Sequence, residues 1–355
     1  MTKNLSYFTG KILRFAQNDI VKLIFHKSLI IFLMGYSAFA QPKFTEIASK
    51  PGAFSRMGFG ARGIGMGNAM SAITEGNLVS YYNPALSVFQ ENNSFQTSYS
   101  FLSLDRSLNF LNFTRRFDFY SSKDTLKENR EPRSTAGFSI GVINAGVSNI
   151  DGRDNQGFHT EELSTSENQF FLGLGIKFSK KFALGLNAKL YYYKLYEDVT
   201  TTEIGLDIGA LYKLNDEWNI SLVVTDINSK YEWNTNSVYG QEGSSPKDKF
   251  PLLKKIGVSY KSEGSNLLAA AEFENSNAGT NIIRAGIEYN IYENLFVRGG
   301  LDKFNLSNTD ALAKPALGFS YLKSFGSLII GIDYAFMIEQ YSPHDRHIVG
   351  VNINF

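Results

Sequence analysis

Hydrophobic and polar residues alternate with a period of two along most of the chain. In residues 327–336 every second side chain is apolar and falls on one face: Leu328, Ile330, Ile332, Tyr334 and Phe336. The same pattern recurs in residues 203–212 and 282–291. Successive side chains of a β-strand point to opposite faces of a sheet, so this period predicts strands with one apolar face.

Fourteen such strands are predicted between residue 94 and the C-terminus. They span residues 94–103, 106–117, 134–147, 167–178, 181–196, 202–214, 217–226, 252–261, 266–275, 281–291, 294–302, 312–324, 327–336 and 346–355. An even number of antiparallel strands places both chain termini on the same side of a membrane, the periplasmic side in an outer-membrane barrel.

Alternation by itself also fits a soluble β-sandwich, in which the apolar face is the core. Three features favour a membrane barrel. The opposite faces combine glycine with isolated charges, which suits a crowded polar interior, and many predicted strands end in an aromatic residue, as interfacial girdles require. The last strand, HIVGVNINF, ends at Phe355 and resembles the signal read by the outer-membrane insertion machinery. We therefore predict an all-β fold, a 14-stranded antiparallel transmembrane β-barrel.

The predicted connections alternate in length from the fourth strand onwards. Short turns fall at one end, at residues 179–180, 215–216, 292–293 and 325–326. Longer loops fall at the other end, at residues 148–166, 227–251, 303–311 and 337–345. The first three strands break this rule, because 104–105 is short and 118–133 is long. Either these strands are misplaced or the barrel begins irregularly.

The N-terminal region has the pattern of an export signal. Lys22, His26 and Lys27 precede the apolar run SLIIFLMGYSAFA, which ends in an A-x-A site before Gln41. This run is too short to cross a bilayer as a helix, so we predict a signal peptide over residues 1–40. The polar stretch before it is unusually long, which leaves a misassigned start open.

The next segment, residues 41–93, is rich in glycine. Gly58, Gly60 and Gly63 spell the G-x-G-x-x-G of a dinucleotide-binding turn. Such a turn needs a βαβ unit and an acidic residue about twenty positions further on. Glu75 is too near, and no crossover helices follow. Glycines also let a backbone turn tightly and pack closely against other backbone. We therefore predict that residues 41–93 form a plug inside a barrel, and that residues 94–355 form the barrel itself.

The stretch GARGIGMGNAMSAITEGNLVSYYNPAL, residues 60–86, resembles the N-terminal motif of the PorV/PorQ family, outer-membrane barrels with the architecture of the FadL long-chain fatty-acid transporters. The likeness continues at residues 205–212, 250–251, 286–300, 331–336 and 344–355. It implies a lumenal N-terminal segment and a role beside the type IX secretion system, holding or shuttling secreted cargo. The candidate plug residues are Gly58, Gly60, Arg62, Gly63, Gly65, Met66, Gly67, Asn83, Pro84 and Ala85.

Charged residues of both signs fall on the predicted inward faces. They are Lys177, Lys189, Asp207, Glu272, Glu274, Arg284, Glu288, Arg298, Asp302 and Asp333. Mixed signs predict an internally paired, filled lumen and not an ion-selective pore. Arg62 is the one charged residue in the glycine-rich stretch of residues 57–70, and an unpaired buried guanidinium is costly. We therefore predict that Arg62 pins the plug through one of these carboxylates.

Asn83-Pro84-Ala85 has two interpretations. Proline fixes its own φ and favours extended backbone before it, so the tripeptide is predicted to end the plug and direct the chain into the first strand. The alternative is that Asn83 contacts a ligand in the lumen.

Composition excludes several kinds of chemistry. The chain has no cysteine, which removes disulfides, thiolate metal sites and a cysteine nucleophile. A net charge of +1 gives no indication of nucleic-acid binding. The run His344–His347 and the acidic segment 151–157 are weak metal motifs, and no catalytic constellation is present. We expect no enzyme activity, no metal and no cofactor.

Two functions fit the predicted barrel. In the first, the loops 148–166 and 227–251 bind type IX components or cargo, with tyrosine and tryptophan of residues 229–250 as anchors. In the second, the barrel transports a hydrophobic small molecule of long-chain fatty-acid type. Both place the protein in an outer membrane, surrounded by its lipid, and leave the oligomeric state open.

Overall fold

In the computed structural model, which describes residues 45–120, 132–262, 264 and 266–355, fourteen antiparallel strands form a closed barrel. The strands of the chain are β1 Ser94–Phe101, β2 Arg106–Phe119, β3 Ser134–Arg153, β4 His159–Lys177, β5 Phe182–Tyr196, β6 Val199–Lys213, β7 Trp218–Ile227, β8 Lys230–Glu232, β9 Lys247–Lys249, β10 Leu253–Lys261, β11 Leu267–Ser276, β12 Asn281–Tyr292, β13 Leu295–Asn305, β14 Lys314–Phe325, β15 Leu328–Met337 and β16 Arg346–Asn354. β8 and β9 form a separate two-stranded sheet. In the barrel sheet, β10 pairs with β7, and β1 pairs with β16 to close the barrel. The predicted signal peptide, residues 1–40, lies outside the described residues.

The prediction of a 14-stranded barrel is confirmed, including its irregular beginning. β1 and β2 are joined by the short segment 102–105, and β2 and β3 by the long one at the opposite end, as the sequence pattern indicated. Asn93 and Phe355 exchange backbone hydrogen bonds of 3.1 and 3.0 Å, which places the start of β1 beside the end of β16. We call this end of the barrel the terminal end and the opposite one the loop end.

The outward faces of the strands are apolar. On β4, Phe170, Leu174 and Ile176 are 46%, 52% and 51% exposed, whereas Gln169 between the outward positions is fully buried. A soluble sandwich would bury the apolar side chains and expose the polar ones. The barrel has the reverse arrangement, which is that of a protein surrounded by hydrocarbon. No helix among the described residues is long and apolar enough to cross a membrane.

The predicted loop 148–166 is wrong. β3 and β4 continue as a hydrogen-bonded hairpin to Arg153 and His159, and only residues 154–158 form the turn. Most residues of this extension are exposed and polar, with Ile150 and Leu163 half-buried, so the alternation of apolar and polar residues is lost although the strands continue.

The predicted loop 227–251 also contains regular structure. It carries β8, β9 and a short helix, Asn236–Tyr239. β8 and β9 are each only three residues long, which is too short for a period of two to be recognised in the sequence.

Residues 45–93 fill the barrel and are called the plug. They form 3₁₀ turns at Glu46–Ser49, Phe54–Arg56 and Pro84–Phe89 and one short helix, α1, at Gly60–Gly65. Ile64, Met66 and Ile73 are fully buried, and plug residues make up half of the main hydrophobic core that lies inside the barrel.

Candidate functional site

The plug glycines lie directly against the backbone of the barrel wall. Gly67 has a φ of 60°, and a Cβ there would lie 2.6 Å from the backbone nitrogen of Leu301. A Cβ on Gly300 of the wall would in turn lie 2.2 Å from the backbone nitrogen of Gly67. Gly65 approaches Gly318 in the same way, and the backbone of Met66 lies against Gly286. Side chains are thus absent from both sides of this contact, because backbone fills the space.

Tyr82 and Asn68 form a second set of contacts, around α1. Gly63 leaves room for the ring of Tyr82, whose hydroxyl accepts a hydrogen bond from the Phe59 N–H at 3.0 Å and lies 2.8 Å from Asn68 Oδ1. Asn68 Nδ2 donates to Asp302 of β13 at 3.0 Å. Burial raises the pKa of Tyr82 well above its ordinary value, so its phenol stays neutral. Of the other glycines predicted to matter, Gly58 has a φ of 89° and packs against Asn68, and Gly60 has a φ of 70° and faces Phe110.

Arg62 of α1 binds a carboxylate of the wall. Its Nε and one terminal nitrogen donate to the two oxygens of Glu288 at 2.9 and 2.8 Å, and its other terminal nitrogen donates to the Glu75 carbonyl at 2.7 Å. Glu288 also accepts from Arg298. Burial lowers the pKa of Arg62, but the charge and hydrogen bonds of Glu288, together with the charges of Asp333 and Glu75, outweigh burial and the pKa is raised. The guanidinium therefore holds α1 against β12 by a two-pronged, charge-assisted contact.

The other inward charges form two further groups. Lys189 lies 2.8 Å from Asp207 and 3.0 Å from Asp226. Arg284 lies 2.7 Å from Asp302 and contacts both Glu272 and Glu274. Among the other predicted lumenal charges, Asp333 accepts from Ser320 and Asn352. Lys177 sits at the terminal end, 5.4 Å from the ring of Phe89.

Sequence reasoning missed two members of these groups. Asp226 has a φ of 62° at the end of β7, where the predicted strand also ended. Lys255 of β10 lies 3.5 Å from Glu274. The adjacent Lys254 and Lys255 obscured which lysine points inward, although alternation along β10 contained that signal.

The side-chain oxygen and nitrogen of Asn83 are both hydrogen-bonded within the protein. Its oxygen accepts from the Ala85 N–H at 2.9 Å, and its nitrogen donates to the carbonyls of Ser71 at 2.9 Å and Ala210 at 3.2 Å. Pro84 then packs on Gly185 and Gly209 of β5 and β6. This geometry caps the last turn of the plug and fixes it to the wall.

A cavity of about 290 Å³ opens at the loop end between the start of the plug and strands β12 to β14. We call it the loop-end cavity. Its apolar lining includes Ile47, Ala48, Ile282 and Leu312.

Two cations of this cavity, Arg56 and Lys303, have no carboxylate within 4.0 Å in the described part of the chain. Arg56 donates only to the carbonyls of Pro51 and Lys50, at 2.7 and 3.3 Å. Burial lowers the pKa of Arg56 from its ordinary value. The other lysine of the lining, Lys314, pairs with Glu339. Glu274 and Arg284 also line the cavity and pair with each other at 3.0 Å. The cavity therefore combines largely apolar walls with two positive groups, Arg56 and Lys303, available to an anion.

The lumen deeper in the barrel is nearly filled. The cavities beside residues 57–86 measure about 30 and 10 Å³. These volumes hold one or two water molecules, so neither cavity leaves room for a larger ligand beside the plug in the described part of the chain.

Most aromatic residues of the β7–β10 connection are turned inwards. Tyr231 and Trp233 are only 1% and 8% exposed, and their rings pack with Phe250, Tyr191 and Tyr193 at the mouth of the barrel. They were expected to anchor a protein partner, but this packing covers them. Tyr239, at 66%, is the exposed aromatic residue of the segment.

The weak metal motifs are not assembled into a cluster. Within the described ranges, no three histidine, aspartate or glutamate side chains are placed to hold a metal ion together. His347 instead lies on the outward face, with Nδ1 2.7 Å from the hydroxyl of Tyr334.

The chain has the fold of a closed 14-stranded antiparallel barrel, and solved structures share this barrel fold. The chain is similar to the toluene transporter TodX of Pseudomonas putida, with 13% identity and a TM-score of 0.54 over 83% of this chain and 96% of that chain. It is also similar to the CymD monoaromatic hydrocarbon channel, with 14% identity and a TM-score of 0.55 over 84% of this chain and 98% of that one. A FadL homologue of Pseudomonas aeruginosa matches with 10% identity and a TM-score of 0.50 over 84% and 98% of the two chains.

These structural neighbours are FadL-family channels, and at this identity they establish the fold. No family model and no curated protein sequence matches the chain. The resemblance to the PorV/PorQ family therefore rests on the sequence motifs alone.

Proposed function

We propose that this protein is an outer-membrane channel for hydrophobic small molecules that carry an acidic head group, of the long-chain fatty-acid type. The observation that carries the proposal is the loop-end cavity, where Arg56 and Lys303 face an apolar lining. The FadL-like fold supports it, because the neighbours with this fold include a toluene transporter and a monoaromatic hydrocarbon channel.

The chemistry of the cavity argues for an acidic ligand. A carboxylate would supply the charged partner that Arg56 and Lys303 lack, and a charge-assisted hydrogen bond is about twice as strong as a neutral one. Ile47, Ala48 and Leu312 would cover the hydrocarbon part of the molecule. Ligand sites of this kind are typically apolar with a few polar groups that fix orientation.

The location follows from the same features. The exposed apolar faces of the strands require hydrocarbon around the barrel, and the predicted signal peptide would export the chain. We place the terminal end in the periplasm and the loop end outside, so that the cavity opens towards the cell exterior.

Binding of a fatty acid and of the alcohol with the same chain tests the proposal. We expect the purified protein to bind dodecanoic acid at least tenfold more tightly than dodecanol. Lys303→Ala should remove most of this preference, whereas Lys249→Ala, an exposed lysine of β9, should retain it. Equal binding of acid and alcohol by the unaltered protein would refute the proposed head group.

Binding of secretion partners is the second candidate function. It is favoured by the ordered β7–β10 segment, which presents Val238 and Tyr239 at 48% and 66% exposure. If the protein acts beside a type IX system, removing its gene should release or trap cargo proteins of that system, and Tyr239→Ala should reproduce part of the defect. Unchanged surface proteins after gene deletion would exclude this function.

A further inference from the structure

The hairpin of β3 and β4 extends beyond its neighbours in the barrel. β2 pairs with β3 only as far as Val147, and β5 pairs with β4 only from Ser166 onwards. Residues 148–165 therefore form a projecting two-stranded ribbon, called here the β3–β4 ribbon. Neither of its outer edges is paired with another strand among the described residues.

The β3–β4 ribbon is folded before any partner arrives. Asp151 accepts from Arg153 Nε at 2.8 Å, and His159 Nδ1 lies 2.8 Å from its other oxygen. At the tip, Asp154 accepts from the backbone N–H groups of Gln156 and Phe158 at 2.8 and 2.9 Å. A preformed ribbon avoids most of the entropy cost of ordering a loop on binding.

The two edges of the ribbon differ in regularity. On β3 the register shifts between Val147 and Ile150, and Asn149 has a φ of 56°. Bulges of this kind disrupt an edge and prevent pairing. A second shift falls between Gly152 and Arg153, where β4 carries the extra residue, Thr160. From Glu161 to Thr165 β4 carries no extra residue and continues into the part of the strand that pairs with β5, so this edge remains open to a further strand.

The charge of the ribbon is acidic. Between residues 148 and 165 it carries Asp151, Asp154, Glu161 and Glu162 against a single arginine, Arg153. Acidic side chains at an open edge repel another acidic strand and a second copy of the same ribbon, but they attract a basic one. Phe158 at the tip is 67% exposed and offers an apolar contact.

We propose that residues 161–165 of β4 are a docking edge for a basic, extended segment of a protein partner, which adds to the ribbon as a further strand. Backbone hydrogen bonds to the edge provide affinity, as in other cases of strand addition, and Glu161 and Glu162, which lie on the edge itself, select the charge of the segment. This interaction is separate from the loop-end cavity and does not depend on the proposed transport.

Fluorescence anisotropy of a labelled nine-residue peptide of alternating lysine and valine tests the proposal with the full-length protein in detergent. We expect the double variant Glu161→Lys/Glu162→Lys to bind this peptide at least tenfold more weakly. A variant in which an Asn-Gly turn replaces residues 148–164 should show the same loss. Heat-modifiable gel mobility and dodecanoic-acid binding should be unchanged in both, which shows that the barrel is intact.

A second peptide separates strand addition from simple charge attraction. Replacing each valine by proline retains the charge but prevents the peptide from pairing as a strand. We expect this peptide to bind at least tenfold more weakly than the lysine-valine peptide. Equal binding of the two peptides, full binding by the variant without the ribbon, or no binding of the lysine-valine peptide to the unaltered protein would each overturn the proposal.

Discussion

At the scale of single residues, the plug is held by three kinds of contact that depend on exact size or charge. Arg62 bridges the plug to Glu288, Gly67 allows backbone to touch backbone, and Tyr82 fills the space beside Gly63. Each of these residues can be changed without altering the outward face of the barrel. Their effects should therefore report on the plug and not on membrane insertion.

Replacing Arg62 and replacing Glu288 should not destabilise the protein equally. Arg62→Ala leaves Glu288 paired with Arg298, whereas Glu288→Gln leaves two guanidinium groups without their carboxylate. An uncompensated buried charge costs about 3–5 kcal/mol, so Glu288→Gln should lower the temperature of heat-modifiable unfolding more than Arg62→Ala. Equal shifts for the two variants would contradict the shared role of Glu288.

Alanine at Gly67 should loosen the plug. A Cβ there would meet the backbone of Leu301 at 2.6 Å, in addition to the strain of a positive φ. Gly279→Ala is the matched control, because Gly279 has a φ of 75° and open space around it. Strain alone costs about 1–2 kcal/mol. Gly67→Ala should cost clearly more than Gly279→Ala and increase proteolysis within residues 57–86, as measured by mass spectrometry of the fragments.

Tyr82 should contribute to unfolding at alkaline pH. Its raised pKa means that both states hold the phenol proton below about pH 10, whereas above this pH only the unfolded chain loses it. Above about pH 10, Tyr82 should therefore lower the free energy of unfolding by about 1.4 kcal/mol for each pH unit. Urea unfolding between pH 8 and 11 should show a shallower decline for Tyr82→Phe, and an unchanged one for Tyr239→Phe, whose ring is exposed.

At the scale of secondary structure, the sequence predicts strands only where their two faces differ. All fourteen barrel strands were found in this way, since one face contacts hydrocarbon and the other the lumen. The extension of β3 and β4 was missed because water surrounds it on both sides. The loop-end cavity was missed for another reason. Arg56 and Lys303 are 247 positions apart, and no local pattern indicates that both line the same cavity.

Local pattern was more informative about the plug than about the cavity. Gly65 and Gly67 have no side chain because the wall leaves no room, and a run of glycines is visible in one sequence. Which carboxylate Arg62 would bind was not visible, because Glu288 was one of several inward acids. Burial and pairing depend on the closure of the whole barrel.

At the scale of the whole molecule, the barrel has its apolar side chains outside and its polar ones inside. The two tryptophans of the chain lie on opposite sides of this division. Trp218 is 41% exposed at the start of β7, and Trp233 is 8% exposed in the aromatic cluster at the mouth of the barrel.

Quenching by brominated lipids should distinguish the two tryptophans. In bilayers, the variant Trp233→Phe, which retains Trp218, should lose much of its fluorescence when the acyl chains carry bromine. The variant Trp218→Phe, which retains Trp233, should be quenched little. The opposite result would mean that the lipid-facing surface has been assigned incorrectly.

The contacts of the plug with opposite walls also constrain how the chain folds. Pro84 packs on β5 and β6, while Gly65 and Gly67 contact β13 and β14, and Arg62 reaches Glu288, which lies 226 positions further along the chain. Contacts between such distant positions form slowly, because a long loop must close before any of them is made. A barrel already closed would leave no space for these backbones to pass each other. We therefore expect the plug to be in place when β1 meets β16, with its residues acting as a template around which the wall is completed.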